Sequence, residues 1–128
     1  MKRLLLCCIA LSTMTMQSAM AQKTTAKEFK QWESQCAQGG NPSACSLAAK
    51  SYDNGEGVRQ DKFKAVELFT KACDGGNASG CFNMGVMYII GEGVKLDKKR
   101  ALALFGKACD LKEEKGCKNY AILKGQGH

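Results

Sequence analysis

Six of the eight cysteines lie in three close pairs, and cysteine thiols can form disulfides, bind metal or carry out redox chemistry. The pairs are Cys36 with Cys45, Cys73 with Cys81, and Cys109 with Cys117. Redox catalysis typically uses two cysteines separated by only two residues, a spacing that is absent from these six. The spacing therefore favours structural disulfides over a redox centre or a zinc site.

The N-terminal segment indicates the compartment in which these cysteines function. Residues 1–21 begin with Met, Lys and Arg, continue through an apolar run of 13 residues from Leu4, and end in Ala-Met-Ala. We predict a secretory signal peptide cleaved after Ala21. The alternatives are a membrane anchor, for which the run is shorter than the ~20 residues that span a bilayer, and a lipoprotein site at Cys7, which has almost no apolar segment before it.

Cleavage would leave residues 22–128, an exported chain that we expect to be periplasmic or secreted in a bacterium, with no stable membrane span. This segment holds 17 Lys and Arg against 12 Asp and Glu, a formal charge of +5. No basic run interleaved with aromatic residues accompanies this excess, so we expect no nucleic-acid binding. An even number of cysteines in a small exported chain is typical of a disulfide framework.

A period of 36 residues organises this segment. The second members of the cysteine pairs follow it, as do several glycine, tyrosine, phenylalanine and aspartate positions: Cys45, Cys81 and Cys117; Gly55, Gly91 and Gly127; Tyr52 and Tyr88; Phe69 and Phe105; Asp61 and Asp97. Such a period is the signature of an array in which each repeat is one supersecondary unit.

Two helices fit into each period. Apolar residues from Ala65 to Cys73 follow the i, i+1, i+4, i+7, i+8 spacing of one helix face. A second helix begins near the following cysteine, with Asn77 as its N-cap in the middle copy. The Gly-x-Gly links supply left-handed backbone at helix ends, and they lack the preceding strand of a phosphate-binding loop. The sequence therefore predicts an all-α fold, a short α-solenoid of about six helices in three antiparallel hairpins.

The hairpin arrangement also predicts the cysteine pairing. The end of one helix lies beside the start of the next, so cysteines near the turn can approach within the distance that a disulfide requires. Of the fifteen connectivities open to six cysteines, we therefore predict the three local ones: Cys36 with Cys45, Cys73 with Cys81, and Cys109 with Cys117. Disulfides at each turn would stabilise an array too short to bury a large core.

The residues from Lys64 to Asp110, "KAVELFTKACDGGNASGCFNMGVMYIIGEGVKLDKKRALALFGKACD", resemble the Sel1-like repeat, a relative of the tetratricopeptide repeat. The cysteine spacing resembles that of the disulfide-stapled branch of this family, the Helicobacter cysteine-rich proteins. The resemblance spans essentially all of residues 22–128. It implies a single repeat domain with full repeats at about 42–77 and 78–113 and an extra helix on each side.

The resemblance implies an exported scaffold that binds a protein or peptide in the cell envelope or outside the cell, without a cofactor. Some family members have been assigned penicillin-binding or slow β-lactamase activity, which is the alternative function. The chain lacks the Ser-x-x-Lys, Ser-Asp-Asn and Lys-Thr-Gly motifs of serine β-lactamases, and its one histidine is His128. We therefore name no catalytic residue and favour binding over hydrolysis.

Two asparagines are the predicted ligand contacts. By analogy with tetratricopeptide proteins, the helices that begin near Cys45, Cys81 and Cys117 line the concave side. Asn83 and Asn119 occupy matching positions on two of these helices, and an amide offers two donors and an acceptor to a peptide. Helix packing or simple solvation of these amides is the alternative.

Overall fold

In a computed structural model, which describes residues 23–127, the chain forms α-helices and no strand within that range. The six helices are α1 (Ala26–Gly39), α2 (Pro42–Asn54), α3 (Lys62–Asp74), α4 (Ala78–Ile90), α5 (Lys98–Asp110) and α6 (Glu114–Gly125). The predicted all-α fold is confirmed. The predicted signal peptide and His128 lie outside the described residues.

Each helix packs against its neighbours along the chain, so the three hairpins α1–α2, α3–α4 and α5–α6 stack in order. Helix α2 also contacts α4, although α3 lies between them in the sequence. The even-numbered helices therefore form the inner layer of the array. The predicted α-solenoid is confirmed.

Side-chain caps begin several of the helices, including α4 at the predicted Asn77. The Asn41 side chain accepts hydrogen bonds from two amides at the start of α2, where Pro42 is the first helical residue. Asp61 likewise accepts from two amides at the start of α3, and Asn77 accepts from one, that of Gly80, at the start of α4. Gly55 ends α2 with a φ of 70° and Gly91 ends α4 with a φ of 77°, a left-handed conformation that costs glycine little. Local sequence therefore sets the helix boundaries.

Small residues at repeating positions let the helices approach closely. Ala65 and Ala101, 36 residues apart, are fully buried. Gly85 on α4 faces the Phe105 ring, where an added Cβ would lie 2.6 Å from the nearest ring carbon. The repeated phenylalanines Phe69 and Phe105 are both almost fully buried, and alanine or glycine at adjoining positions leaves room for their rings.

The hydroxyl of Tyr52 on α2 has a pKa well above its ordinary value. Its ring packs edge-on against Phe29, with 5.0 Å between centroids, and its hydroxyl donates to Glu33 Oε1 at 2.8 Å. Burial, followed by this hydrogen bond, raises the pKa of Tyr52 to about 12.

A folded-state pKa above the unfolded value of about 10 means that the folded protein holds this proton more tightly. The resulting stability is present below pH 10 and is lost as the pH rises through 12. Absorbance at 295 nm should show one tyrosine ionising near pH 12, and this phase should disappear in Tyr52→Phe. In Glu33→Gln it should move to lower pH but stay above 10, because burial is the larger cause. A return to 10 would contradict this assignment.

Candidate functional site

The structure places the six cysteines of residues 23–127 in three disulfides, each across the turn of one hairpin. The Cα atoms are 4.7 Å apart in Cys36–Cys45 and 4.5 Å apart in both Cys73–Cys81 and Cys109–Cys117. These are the pairs named from the sequence. Each bridge joins the end of an outer helix to the start of the inner helix that follows.

No group of three or more His, Cys, Asp or Glu side chains in residues 23–127 is arranged to hold a metal ion. None of the helices described above combines the length and apolar character needed to cross a bilayer.

An apolar groove lies between the inner helices α4 and α6 and is closed at its base by α5. Its volume is about 420 Å³. The lining residues are Val86, Ile89, Ile90, Lys98, Phe105, Asn119, Ile122, Leu123 and Gln126. Ile90 and Ile122 are 55% and 58% exposed, an unusual position for large aliphatic side chains. We refer to this surface as the α4–α6 groove.

The two predicted contact residues differ in their positions. Asn119, on α6, lines the α4–α6 groove, and its side chain is half-buried. Asn83 lies about one helical turn before the groove on α4, and its Nδ2 donates to Ser79 Oγ at 3.3 Å. The structure therefore brings Asn119, but not Asn83, into the groove.

The aliphatic wall of the groove was missed by the sequence analysis. Ile89 and Ile90 occupy the repeat positions that Asp53 and Asn54 hold in α2, 36 residues earlier. Two polar residues at the end of one inner helix thus become two isoleucines at the end of the next. This departure from the repeat was the feature of the sequence that could have predicted the aliphatic wall.

Lys98 supplies the positive charge of the groove lining. Its repeat equivalent, Lys62, shows which groups a lysine at this position can bind. Lys62, 36 residues before it, is likewise the first residue of an outer helix. Its Nζ lies 2.7 Å from Asp53 Oδ1 and 3.1 Å from Glu92 Oε2. The hydrogen bond to Asp53 is the main cause that raises the pKa of Lys62, and the bond to Glu92 adds to it. This lysine position therefore binds one carboxylate from the inner helix α2 and one from the link that follows α4.

The serine hydroxyls show no sign of an activated nucleophile in the described part of the chain. Ser51 Oγ donates to the Leu47 carbonyl at 3.2 Å, and Ser79 Oγ accepts from Asn83. No serine in residues 23–127 hydrogen-bonds a lysine amine. The α4–α6 groove combines apolar side chains with two amides, Asn119 and Gln126, and one ammonium group, Lys98.

A family model described as "Sel1 repeat" matches residues 42–77 and 78–113. Among solved structures, cysteine-rich protein B of Helicobacter pylori is 31% identical, with 70% of this chain and 67% of that chain covered and a TM-score of 0.67. A Sel1 repeat protein from Oxalobacter formigenes is 29% identical, with a TM-score of 0.68 over 70% of this chain. No curated protein gave a match.

A protective antigen of uropathogenic Escherichia coli, which displays an SLR fold, is 26% identical and has a TM-score of 0.76 over 92% of this chain. The chain spans only 37% of the Oxalobacter protein and 25% of the Escherichia coli protein. The two units that match the family model nevertheless cover more than half of the sequence, and their helices are α2 to α5. The chain belongs to the Sel1 repeat family.

Proposed function

We propose that this protein is an exported scaffold that binds a segment of another protein in the α4–α6 groove. Sel1 repeat proteins generally bind proteins, and this cysteine-rich fold suggests an interaction scaffold. The observation that carries the proposal is the pair of half-exposed isoleucines, Ile90 and Ile122, that face one groove from two inner helices. Aliphatic side chains in such a position are typical of binding sites.

The groove suits a short peptide segment rather than a broad interface. Covering the exposed parts of the two isoleucines contributes about 1 to 1.5 kcal/mol for each, somewhat more than half of the value for burying a whole aliphatic side chain. Asn119 adds a donor and an acceptor for a peptide backbone. After the entropy cost of association, we expect affinities in the micromolar range.

Export is the second part of the proposal. A disulfide-rich fold with a cysteine-rich protein as a neighbour fits an extracytoplasmic protein. Expression of the full chain in a bacterium, followed by fractionation and intact mass measurement, should yield a periplasmic or released product that begins at Gln22. Cytoplasmic retention of an uncleaved chain would contradict export.

Substitution in the groove tests the binding role. The partner is captured from envelope extract with the oxidised protein, identified by mass spectrometry, and its interacting segment is synthesised for titration. Ile122→Asp should raise the Kd of this segment at least tenfold, about 1.4 kcal/mol, because it places a charge in the apolar groove. Phe63→Asp is the matched control, since Phe63 is 77% exposed on α3 and lies outside the groove.

The two asparagines give a graded second test with the same segment. Asn119→Ala should weaken binding several-fold, which corresponds to about 1 kcal/mol for one hydrogen bond. Asn83→Ala should have a smaller effect, because the Asn83 amide already donates to Ser79. Equal affinity in Ile122→Asp and the unmodified protein would remove the groove from the binding site.

A further inference from the structure

Lys98 in the groove has a repeat equivalent, Lys62, whose contacts indicate which groups Lys98 can bind. At Lys62, the first residue of α3, the ammonium group is held between the carboxylates of Asp53 and Glu92. At Lys98, the first residue of α5, Ile89 replaces the aspartate. The position 36 residues after Glu92 is His128, which has no carboxylate side chain and lies outside the described residues. Lys98 forms no ion pair with any residue from 23 to 127.

We propose that the α4–α6 groove selects protein segments in which an acidic side chain stands beside an aliphatic one, and that Lys98 binds the acidic group. This inference rests on the proposed function and names its ligand class. The aliphatic residue would pack against Ile90 and Ile122, while the Asp or Glu side chain would take the place that Asp53 has beside Lys62. Side-chain carboxylates are the chosen source because the internal example uses side-chain carboxylates.

The distribution of charge supports an acidic ligand. Residues 23–97 contain nine basic and nine acidic residues and have a formal charge of zero. Residues 98–127 contain eight basic and three acidic residues, a formal charge of +5. The whole positive excess of residues 22–128 therefore lies in the hairpin that forms one side of the groove, where it would steer acidic segments toward the site.

The position of Lys98 within the groove strengthens such an ion pair. The Lys98 side chain is itself exposed and so accessible to a ligand, and the aliphatic residues beside it would partly withdraw the ion pair from water once a segment fills the groove. The N-terminal end of α5 also carries a partial positive charge that favours an anion. The nearest acidic residue in the sequence, Asp97, is already engaged, since it caps the Arg100 amide at 3.1 Å and contacts the Arg100 guanidinium at 3.6 Å.

A synthetic peptide array tests the proposal with the purified oxidised protein. The probes are acetylated and amidated octapeptides that carry Ile or Leu at the centre and Glu, Gln or Lys at each of the flanking positions. Selected peptides are then titrated by fluorescence anisotropy. The best Glu peptides should bind about five- to tenfold more tightly than their Gln isosteres, the range expected for a charge-assisted hydrogen bond.

Variants at Lys98 assign this preference to one side chain. Lys98→Gln should abolish the preference for Glu over Gln, and Lys98→Glu should reverse it so that Lys peptides bind best. Lys99→Gln is the matched control, because Lys99 is exposed, adjacent and outside the groove lining, and it should keep the preference. Circular dichroism spectra of all variants should match that of the unmodified protein, since both lysines are on the surface.

Several outcomes would overturn the inference. Equal binding of Glu and Gln peptides that is nevertheless lost in Ile122→Asp would refute the acidic ligand and leave the proposed function standing. A preference for Glu that survives in Lys98→Gln would refute the role of Lys98. Free-acid versions of the same octapeptides are titrated alongside, and binding of the free acids but not of the amidated peptides would refute the side-chain source. Peptide binding unaffected by Ile122→Asp would remove the groove itself and with it the proposed function.

Discussion

Replacement of both Cys73 and Cys81 by alanine is expected to lower the free energy of unfolding by about 3 to 4 kcal/mol. In the loop-entropy model, a bridge that closes a loop of this size contributes about 2.5 kcal/mol by restricting the unfolded chain. Both cysteines are also buried between the second and third hairpins, so loss of their sulfur atoms leaves unfilled core volume. The free energy of unfolding of a small domain is only about 5 to 15 kcal/mol, so the expected loss is a large fraction of its stability.

The terminal bridge Cys109–Cys117 is the matched control. It has the same sequence separation of 8 as the central bridge, so the loop-entropy contribution is the same. Its cysteines are only half-buried, and their replacement by alanine should cost about 2.5 kcal/mol. Urea unfolding followed by circular dichroism at 222 nm measures both losses. A central loss equal to or smaller than the terminal loss would show that packing around Cys73 and Cys81 contributes nothing.

The features that the sequence predicted correctly are those that neighbouring residues determine. Helix starts followed from side chains such as Asn77, which bonds an amide three residues later. The stacking of hairpins followed from the 36-residue period, because a repeated apolar stripe can be buried only against the next copy. Asn119 was placed on an inner helix by the same repeat logic.

The groove could not be predicted from the repeat, because it depends on the distance between helices that are not adjacent in the sequence. Whether Ile89 and Ile90 are covered depends on the distance between α4 and α6, which the packing of the Phe105 ring against Gly85 helps to set. Sequence spacing alone gave Asn83 and Asn119 the same role. In the structure, Asn119 lines the α4–α6 groove, whereas Asn83 lies outside it and donates a hydrogen bond to Ser79.

The Gly-x-Gly links were also only partly predictable from the sequence. Left-handed glycines at the ends of helices were expected, and Gly55 and Gly91 have that conformation. The second glycine of each link has a further function. Gly93, with a φ of 70°, lies against the backbone at the start of α3, where an added Cβ would be 2.5 Å from the Lys62 carbonyl oxygen and 2.9 Å from its carbon. The link thus packs one hairpin onto the preceding one.

Gly93→Ala is therefore expected to destabilise the fold by about 3 to 4 kcal/mol. A left-handed conformation costs an alanine about 1 to 2 kcal/mol. The clash adds a comparable amount, because the opposing atoms belong to backbone rather than to a flexible side chain. Moving them would also displace Lys62, whose ammonium group joins Asp53 of α2 to Glu92 of the same link.

Gly76→Ala separates the two contributions, because Gly76 has a φ of 87° but no atom within 4 Å of an added Cβ. This variant should lose only the conformational part, about 1 to 2 kcal/mol, in the same urea titration. A difference of about 2 kcal/mol between Gly93→Ala and Gly76→Ala would measure the contact between hairpins. Equal losses would mean that the link adjusts around the new methyl group, and that the hairpins are held together by their helices alone.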